Sequence, residues 1–336
     1  MSRGESDAGA DLRVDPLTKR CSLFFPAWEK PKQALRAFEP LRLPVGTQPC
    51  PFCPGGSPGR DPVELVADGD GSWTSQSFVN RWPASTLPED HEVVVLSPRH
   101  DTHLATMGDQ ERIAFFSLLS RRAAAMRGRG RYPLVTLNHG RAAGASQPHP
   151  HAQILGLPRP SPAETVEGPA LAAPSCVLCS VPPLERSVAS SPPAAVVVPE
   201  AGDGDFDLIV IAAEHGGPFD ARFAAWGVHL ALNAIYGAIG AVAYNLLVHF
   251  DGHPHVHVTP RVGWKHGWEL AGVESCMYLP ERQASLLRAA VAELPGWSAS
   301  TRAWGPQAAR AHGKTKGASM AASAPRVGDG AAALGG

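Results

Sequence analysis

Asn138 to Gln153 reads NHGRAAGASQPHPHAQ, and this stretch decides how the rest of the chain is arranged. It sets His149 and His151 at alternate positions, behind a run of small residues and just ahead of an amide, Gln153. An extended backbone sends alternate side chains to one face, so His149-Pro150-His151 directs both imidazoles the same way. Gly140, Ala142, Ala143, Gly144, Ala145 and Ser146 allow a backbone to approach a ligand closely.

Outward from this stretch the chain repeats itself. Upstream lie PCPFCPGG (49–56), a strand-like EVVVL (Glu92 to Leu96) running into SPRH with His100, a helical pattern from Asp109 to Arg127, and the strand Tyr132 to Asn138. In the helical pattern Ile113, Phe116, Leu118 and Leu119 make the apolar side. Downstream come CVLC (176–179), strands at Ala194 to Pro199 and Asp207 to Ala212 with His215 after them, a helix from Phe219 to Ile239, the strand Tyr244 to Phe250, and DGHPHVHVTPR. Each half thus has a Cys-x-x-Cys, a strand followed by one His, a helix, a strand and a His-Pro-His, an order that implies internal duplication. Cys21 to Phe25 and Trp73 to Trp82 read as further strands. Leu157 to Pro174 reads as a proline-rich link.

Four of the six cysteines stand in these pairs. In a reducing compartment such pairs read as metal sites or redox pairs before structural disulfides. Zinc takes thiolate sulfur and imidazole nitrogen tetrahedrally, and a Cys₂His₂ set is closed and structural. The first half offers Cys50, Cys53, His100 and His149. The second offers Cys176, Cys179, His215 and His253. His103 competes with His100, which follows its strand more directly. His249, His255 and His257 form a third group, able to hold a further metal with Glu164 or Glu167 or to line the second half-site.

With His149 given to metal, His151 is left to face a pocket. A neutral imidazole there can attack phosphorus and carry a covalent phosphoryl group, chemistry that asks mainly for positioning and charge stabilisation. Gln153, on the same strand face, can hydrogen-bond the phosphoryl oxygen or the imidazole. Ser146 and the amides around Gly144 can bind other phosphate oxygens. The second copy keeps the metal histidine but ends in His257 where the first has Gln153, which makes the first half the reacting half.

At 336 residues, 44% hydrophobic and with a net charge of −1, the chain reads as globular, and nothing in its balance favours nucleic acid or an acidic membrane. No apolar run approaches the ~20 residues of a membrane span, and the N-terminus lacks the layout of a signal peptide, so the cytoplasm is the expected location. Residues 1–11 and 298–336 read as disordered, leaving halves at 12–165 and 166–297.

NHGRAAGASQPHPHAQ resembles the active-site segment of the galactose-1-phosphate uridylyltransferase family, in the histidine-triad superfamily. LRVDPLTKR, CPFCPGG, FVNRWP, VVVLSPRH and HVHVTPR are similar to further segments of that family, in order, over roughly residues 12–295. The resemblance implies an α+β fold, a duplicated histidine-triad (HIT-like) unit with antiparallel half-barrel sheets and helices packed on them, in a homodimer. It implies carbohydrate metabolism, galactose metabolism by default, in which a histidine takes the nucleotidyl group from a nucleoside-diphosphate sugar and passes it to a sugar 1-phosphate. On that reading His151 is the nucleophile and Gln153 stabilises the uridylylated histidine. Asn138 and Ser146 contact phosphate or nucleotide, Asn80 the nucleoside and Glu269 a sugar hydroxyl, while Cys50, Cys53, His100 and His149 bind zinc. Where the family has R-A-K-R-P this chain has WEKP, which leaves Lys30 as the phosphate-binding cation, and LAGVESCMYLP after Glu269 lacks the family's glutamine-arginine run. The second Cys-x-x-Cys is similar to the zinc-bearing, ADP-glucose phosphorylase-like branch, whose acceptor is inorganic phosphate. A zinc-containing nucleotide-binding protein without turnover is the alternative of another class.

Overall fold

The computed structural model describes residues 11–26, 29, 50–69, 71–180, 184–263 and 267–295. Lys30, residues 1–10 and residues 298–336 lie outside the described residues, while Asp11, expected to be disordered, opens a strand.

Ten strands form one antiparallel sheet. The first half supplies β3 (Glu64–Ala67), β4 (Trp73–Val79), β5 (His91–Val95), β6 (Tyr132–His139) and β7 (His151–Leu157). The second supplies β8 (Ser187–Ser191), β9 (Ala194–Val197), β10 (Leu208–Ala212), β11 (Tyr244–His249) and β12 (His255–Pro260). The spatial order is β3-β4-β5-β7-β6-β11-β12-β10-β9-β8, the same order in each half read outward from the centre. The expected half-barrels therefore join edge to edge through β6 and β11. A small sheet of β1 (Asp11–Val14), β2 (Cys21–Phe24) and β13 (Val273–Cys276) lies apart.

Strand parity divides the large sheet into two faces. Val94, Leu96, Val135, Leu137, Ala152 and Ile154 of the first half, and Leu246, Val248, Val256 and Val258 of the second, are buried in one core. The helices pack on that side: α1 (Asp109–Gly128), α3 (Ala221–Ile239) and α4 (Pro280–Ala292). In α1, Phe116, Leu118 and Leu119 are buried as their spacing requires, while Ile113 is only partly so. In α3, Gly227 lets the helix sit on β10, for a Cβ there would meet Val210 Cγ1 at 2.2 Å. Glu92 also points to this side, where Arg122 of α1 holds it through two hydrogen bonds of 2.8 Å.

The opposite face is where the halves diverge. Residues 157–174 are more than a link: they contain a helix, α2 (Pro162–Ala170). Its prolines hid it, although Ser161 and Glu164 form a capping box and Pro162 stands in the first turn, where its missing N–H costs nothing. The expected boundary at 165/166 falls inside α2. Among the described residues no helix is long and apolar enough to cross a membrane.

Candidate active site and metal centres

His151 opens β7 on the face away from the helices. Its Nδ1 lies 3.0 Å from the His149 carbonyl, which can only accept, so Nδ1 carries the proton and Nε2 the lone pair. Burial holds the imidazole below its ordinary pKa, against the His149 carbonyl, which acts the other way, so the ring is neutral at pH 7. It borders a cavity of about 230 Å³ shared with Phe52, Asn80, Trp82, Ser146 and Gln153. A neutral imidazole with a free lone pair beside amide and hydroxyl groups is suited to attack at phosphorus.

Behind this histidine stands the first metal quartet. His149 Nε2 donates to the Ser97 carbonyl at 2.7 Å, which leaves the Nδ1 lone pair facing Cys50 Sγ at 3.5 Å and Cys53 Sγ at 3.6 Å. His100 Nδ1 lies 3.4 Å from Cys53 Sγ. A tetrahedron with zinc's usual Zn–S and Zn–N distances has an S···N edge of about 3.6 Å, so the donors fit. In the metal-free state burial and the neighbouring Cys50 push the Cys53 thiol up. His103 is not a ligand: its ring packs on His139 and Tyr236.

The second quartet repeats the first. His253 Nε2 donates to the Ala212 carbonyl at 2.8 Å, and its Nδ1 faces Cys176 Sγ at 3.5 Å and Cys179 Sγ at 3.4 Å. His215 Nδ1 lies 3.3 Å from Cys179 Sγ. Burial lowers His253 to about 4 and pushes Cys179 up to about 11.

A third cluster gathers Glu167 with His249, His255 and His257, each giving an atom within 4.8 Å of the others. Of the two carboxylates considered for it, α2 supplies Glu167, while Glu164 is spent on the Ser161 backbone N–H. His255 Nδ1 donates to the His253 carbonyl at 2.8 Å, so its Nε2 lone pair meets Glu167 Oε2 at 3.3 Å. Either a proton or a metal ion lies between two such atoms, and the three-nitrogen, one-carboxylate donor set fits a metal.

A family model of the galactose-1-phosphate uridyl transferase N-terminal domain matches residues 71–159. ADP-glucose phosphorylase of Arabidopsis thaliana is 26% identical over 326 residues, spanning 83% of this chain and 92% of that protein. This chain resembles the galactose-1-phosphate uridyl transferases. Its fold is that of the solved ADP-glucose phosphorylase from Arabidopsis thaliana with bound ADP-glucose, at TM-score 0.69 and 23% identity, covering 83% of this chain and 99% of that one. A solved uridylyltransferase gives TM-score 0.59 at 23% identity, covering 84% of this chain and 98% of its own. The chain is thus an α+β protein, similar in sequence to a galactose-1-phosphate uridyl transferase domain and to ADP-glucose phosphorylase.

The residues expected to serve this family's chemistry are not all brought together. Asn80, Ser146, His151 and Gln153 border one cavity. Asn138 instead accepts from Asn245 Nδ2 at 2.6 Å and opens to a neighbouring cavity of about 470 Å³. Gly144 adopts φ +83° and closes the short turn after β6. Glu269 lies beside the small sheet, where it accepts from Ser275 Oγ at 2.6 Å, and does not border the His151 cavity. Sequence reasoning passed over His91, whose ring sits between Asn80 and Gln153. Its parity with Val93 on β5 was the available signal.

Proposed function

We propose that the chain is a nucleotidyltransferase of the galactose-1-phosphate uridylyltransferase type, moving UMP between a UDP-sugar and a sugar 1-phosphate through a nucleotidyl-His151. The observation that carries this reading is the fixed tautomer of His151, whose Nε2 lone pair borders a cavity with Gln153 and Ser146. Nε2 attacks the α-phosphorus of the nucleotide sugar. A P–N bond forms as the bridging P–O bond breaks, and the sugar 1-phosphate leaves. A phosphate oxygen of the acceptor then attacks the same phosphorus, the P–N bond breaks, and the imidazole is regenerated.

Within this reading Gln153 steadies the nucleotidyl-imidazole, Asn80 meets the nucleoside, and Ser146, Gly144 and Asn138 meet phosphate, with Lys30 as the added cation. Zinc in the two Cys₂His₂ sets would hold loops to strands, a structural role, with Cys50, Cys53, His100 and His149 in one set and Cys176, Cys179, His215 and His253 in the other. The Glu167–histidine cluster takes a further metal. Exposed Leu12, Val14, Trp268 and Leu270 around the small sheet are the surface that a homodimer would cover, with Glu269 beside them.

A second reading, favoured by the identity to ADP-glucose phosphorylase, replaces the sugar phosphate with inorganic phosphate and UMP with AMP. Incubation with nucleotide sugars labelled at the α-phosphorus decides between them. The expected result is an acid-labile label on His151, absent in His151→Ala. Release of label by sugar 1-phosphate marks the transferase, and phosphate-dependent release of nucleoside diphosphate marks the phosphorylase. A folded, metal-loaded protein that binds nucleotide but takes no label from any donor would sink both.

A further inference from the structure

His91 opens β5, and its ring is buried against the two amides of the His151 cavity. Ala84 N–H donates to His91 Nδ1 at 2.9 Å. A backbone N–H can only donate, so Nδ1 holds a lone pair and the neutral ring carries its proton on Nε2. That Nε2 lies 2.9 Å from Gln153 Oε1, making His91 the donor and the Gln153 carbonyl the acceptor. The Gln153 amide is thereby fixed with its oxygen toward the wall and its NH₂ free for the cavity. Asn80 is set in the same way. Its Oδ1 accepts from Trp82 N–H at 2.9 Å, which turns its Nδ2 toward the His91 ring, 3.1 Å from Nε2 and 3.4 Å from Nδ1.

We infer that His91 is a positioning residue that fixes which end of the Gln153 amide the phosphoryl group meets. The inference rests on the proposed nucleotidyl-transfer reading for its chemical meaning, but not for its geometry. Phosphoryl oxygens accept hydrogen bonds, and an amide NH₂ beside them stabilises the charge that builds up during transfer. The same glutamine flipped would present its carbonyl oxygen to those anionic oxygens and repel them. A free glutamine samples both orientations, since its two ends have nearly the same shape. Two backbone amides, Ala84 and Trp82, remove that choice by fixing first His91 and Asn80, and through His91 the glutamine.

Two measurements test this. The first needs no substrate: nitrogen NMR of histidine-labelled, zinc-loaded full-length protein should show His91 as the Nε2–H tautomer at neutral pH, and Ala84→Pro, which removes the donor, should release that preference. A His91 that is Nδ1–H, or doubly protonated, overturns the inference whether or not any nucleotide sugar reacts. The second uses single-turnover labelling of His151. His91→Ala and Gln153→Ala should each slow labelling by about 10²-fold at saturating donor, with the donor concentration for half-maximal rate changed little. The double variant should be no slower than either single one, and His91→Gln, which restores a donor near Nε2, should recover part of the rate. Losses that multiply in the double variant, or a labelling rate per folded site untouched by His91→Ala, overturn it. A wild-type protein with the Nε2–H tautomer that takes no label refutes the transfer reading alone.

Discussion

The two halves of the sheet place three side chains at equivalent register positions and use them for different ends. Leu137 pairs with Ala152 in the first half and Val248 with Val256 in the second. Asn138, His151 and Gln153 therefore correspond to His249, His255 and His257. Both His151 and His255 are fixed as the Nδ1–H tautomer by the carbonyl two residues before them. Each has the lone pair that a nucleophile needs. The difference lies in what faces it: an open cavity for His151, the Glu167 carboxylate for His255. Phe52 and Leu178 occupy matching places in their Cys-x-x-Cys loops, but Leu17, from the turn between β1 and β2, packs against Leu178, Ile209 and Ile211. Leu17 takes part of the second pocket, and the cavity of about 250 Å³ that remains there is bordered by neither His255 nor His257. A competent histidine is therefore not enough; the face it looks across decides whether it reacts.

The largest test of this contrast sets His151→Ala against His255→Ala. Removing a nucleophile should lower nucleotidyl exchange on the order of 10⁴-fold or more. His255→Ala should keep the label on His151 and lose the metal bound with Glu167. Label on His255 in the wild-type protein would break the contrast.

The two zinc quartets sharpen it next. Cys50→Ser and Cys176→Ser should each lower the zinc content by one per chain. Cys50→Ser frees His149, whose carbonyl orients His151, and should abolish labelling; Cys176→Ser should retain it in whatever folds. Each loss should cost about 3 kcal/mol or more, roughly 6 °C or more in melting temperature. Equal loss of labelling in both variants would show that the second quartet also serves the reaction.

Leu17→Ala tests the plug. Truncating a buried leucine costs about 2–5 kcal/mol, and the chain should unfold earlier while His151 remains the labelled residue. Binding of a second nucleotide to this variant, detected by equilibrium dialysis, would mean that the plug alone separates the halves.

How much of this was legible in the sequence follows from how far apart the cooperating residues lie. The alternating histidines and the Cys-x-x-Cys spacings are local patterns, and the structure brings both quartets to donor distances from them. The strands β5, β6, β10 and β11 showed as apolar runs, with ends that differ by a single residue. α2 was lost because Pro162 and Pro169 outweighed its capping box, and the choice of Glu167 over Glu164 went with it. His91 and Leu17 were out of reach for another reason. His91 matters only through pairing with a strand 62 residues away, and Leu17 through burial against the opposite half. Lateral register on an open sheet face is a tertiary fact that periodicity does not carry.

The smallest expected effect concerns the position that matches His91. Val93 faces Gln153 and Ile209 faces His257, so Asp207 stands two residues before Ile209 as His91 stands before Val93. Asp203 N–H donates to Asp207 Oδ2, while Oδ1 is buried with no hydrogen-bond partner among the described residues. Burial raises the carboxyl to about 7, with the charge of Asp203 adding to it and Arg20 and Arg261 opposing. A folded-state pKa above the unfolded value of about 3.9 means that the native state holds the proton more tightly. Native stability therefore falls as pH rises between those values, and the penalty is complete above pH 7. Asp207→Asn cannot ionise, so its stability relative to the wild type should improve between pH 5.5 and pH 8, by about 2 kcal/mol in urea unfolding. Any fixed cost of placing an amide there cancels in that difference. A difference that stays flat with pH would mean that Asp207 is ionised throughout and held by Arg20 and Arg261.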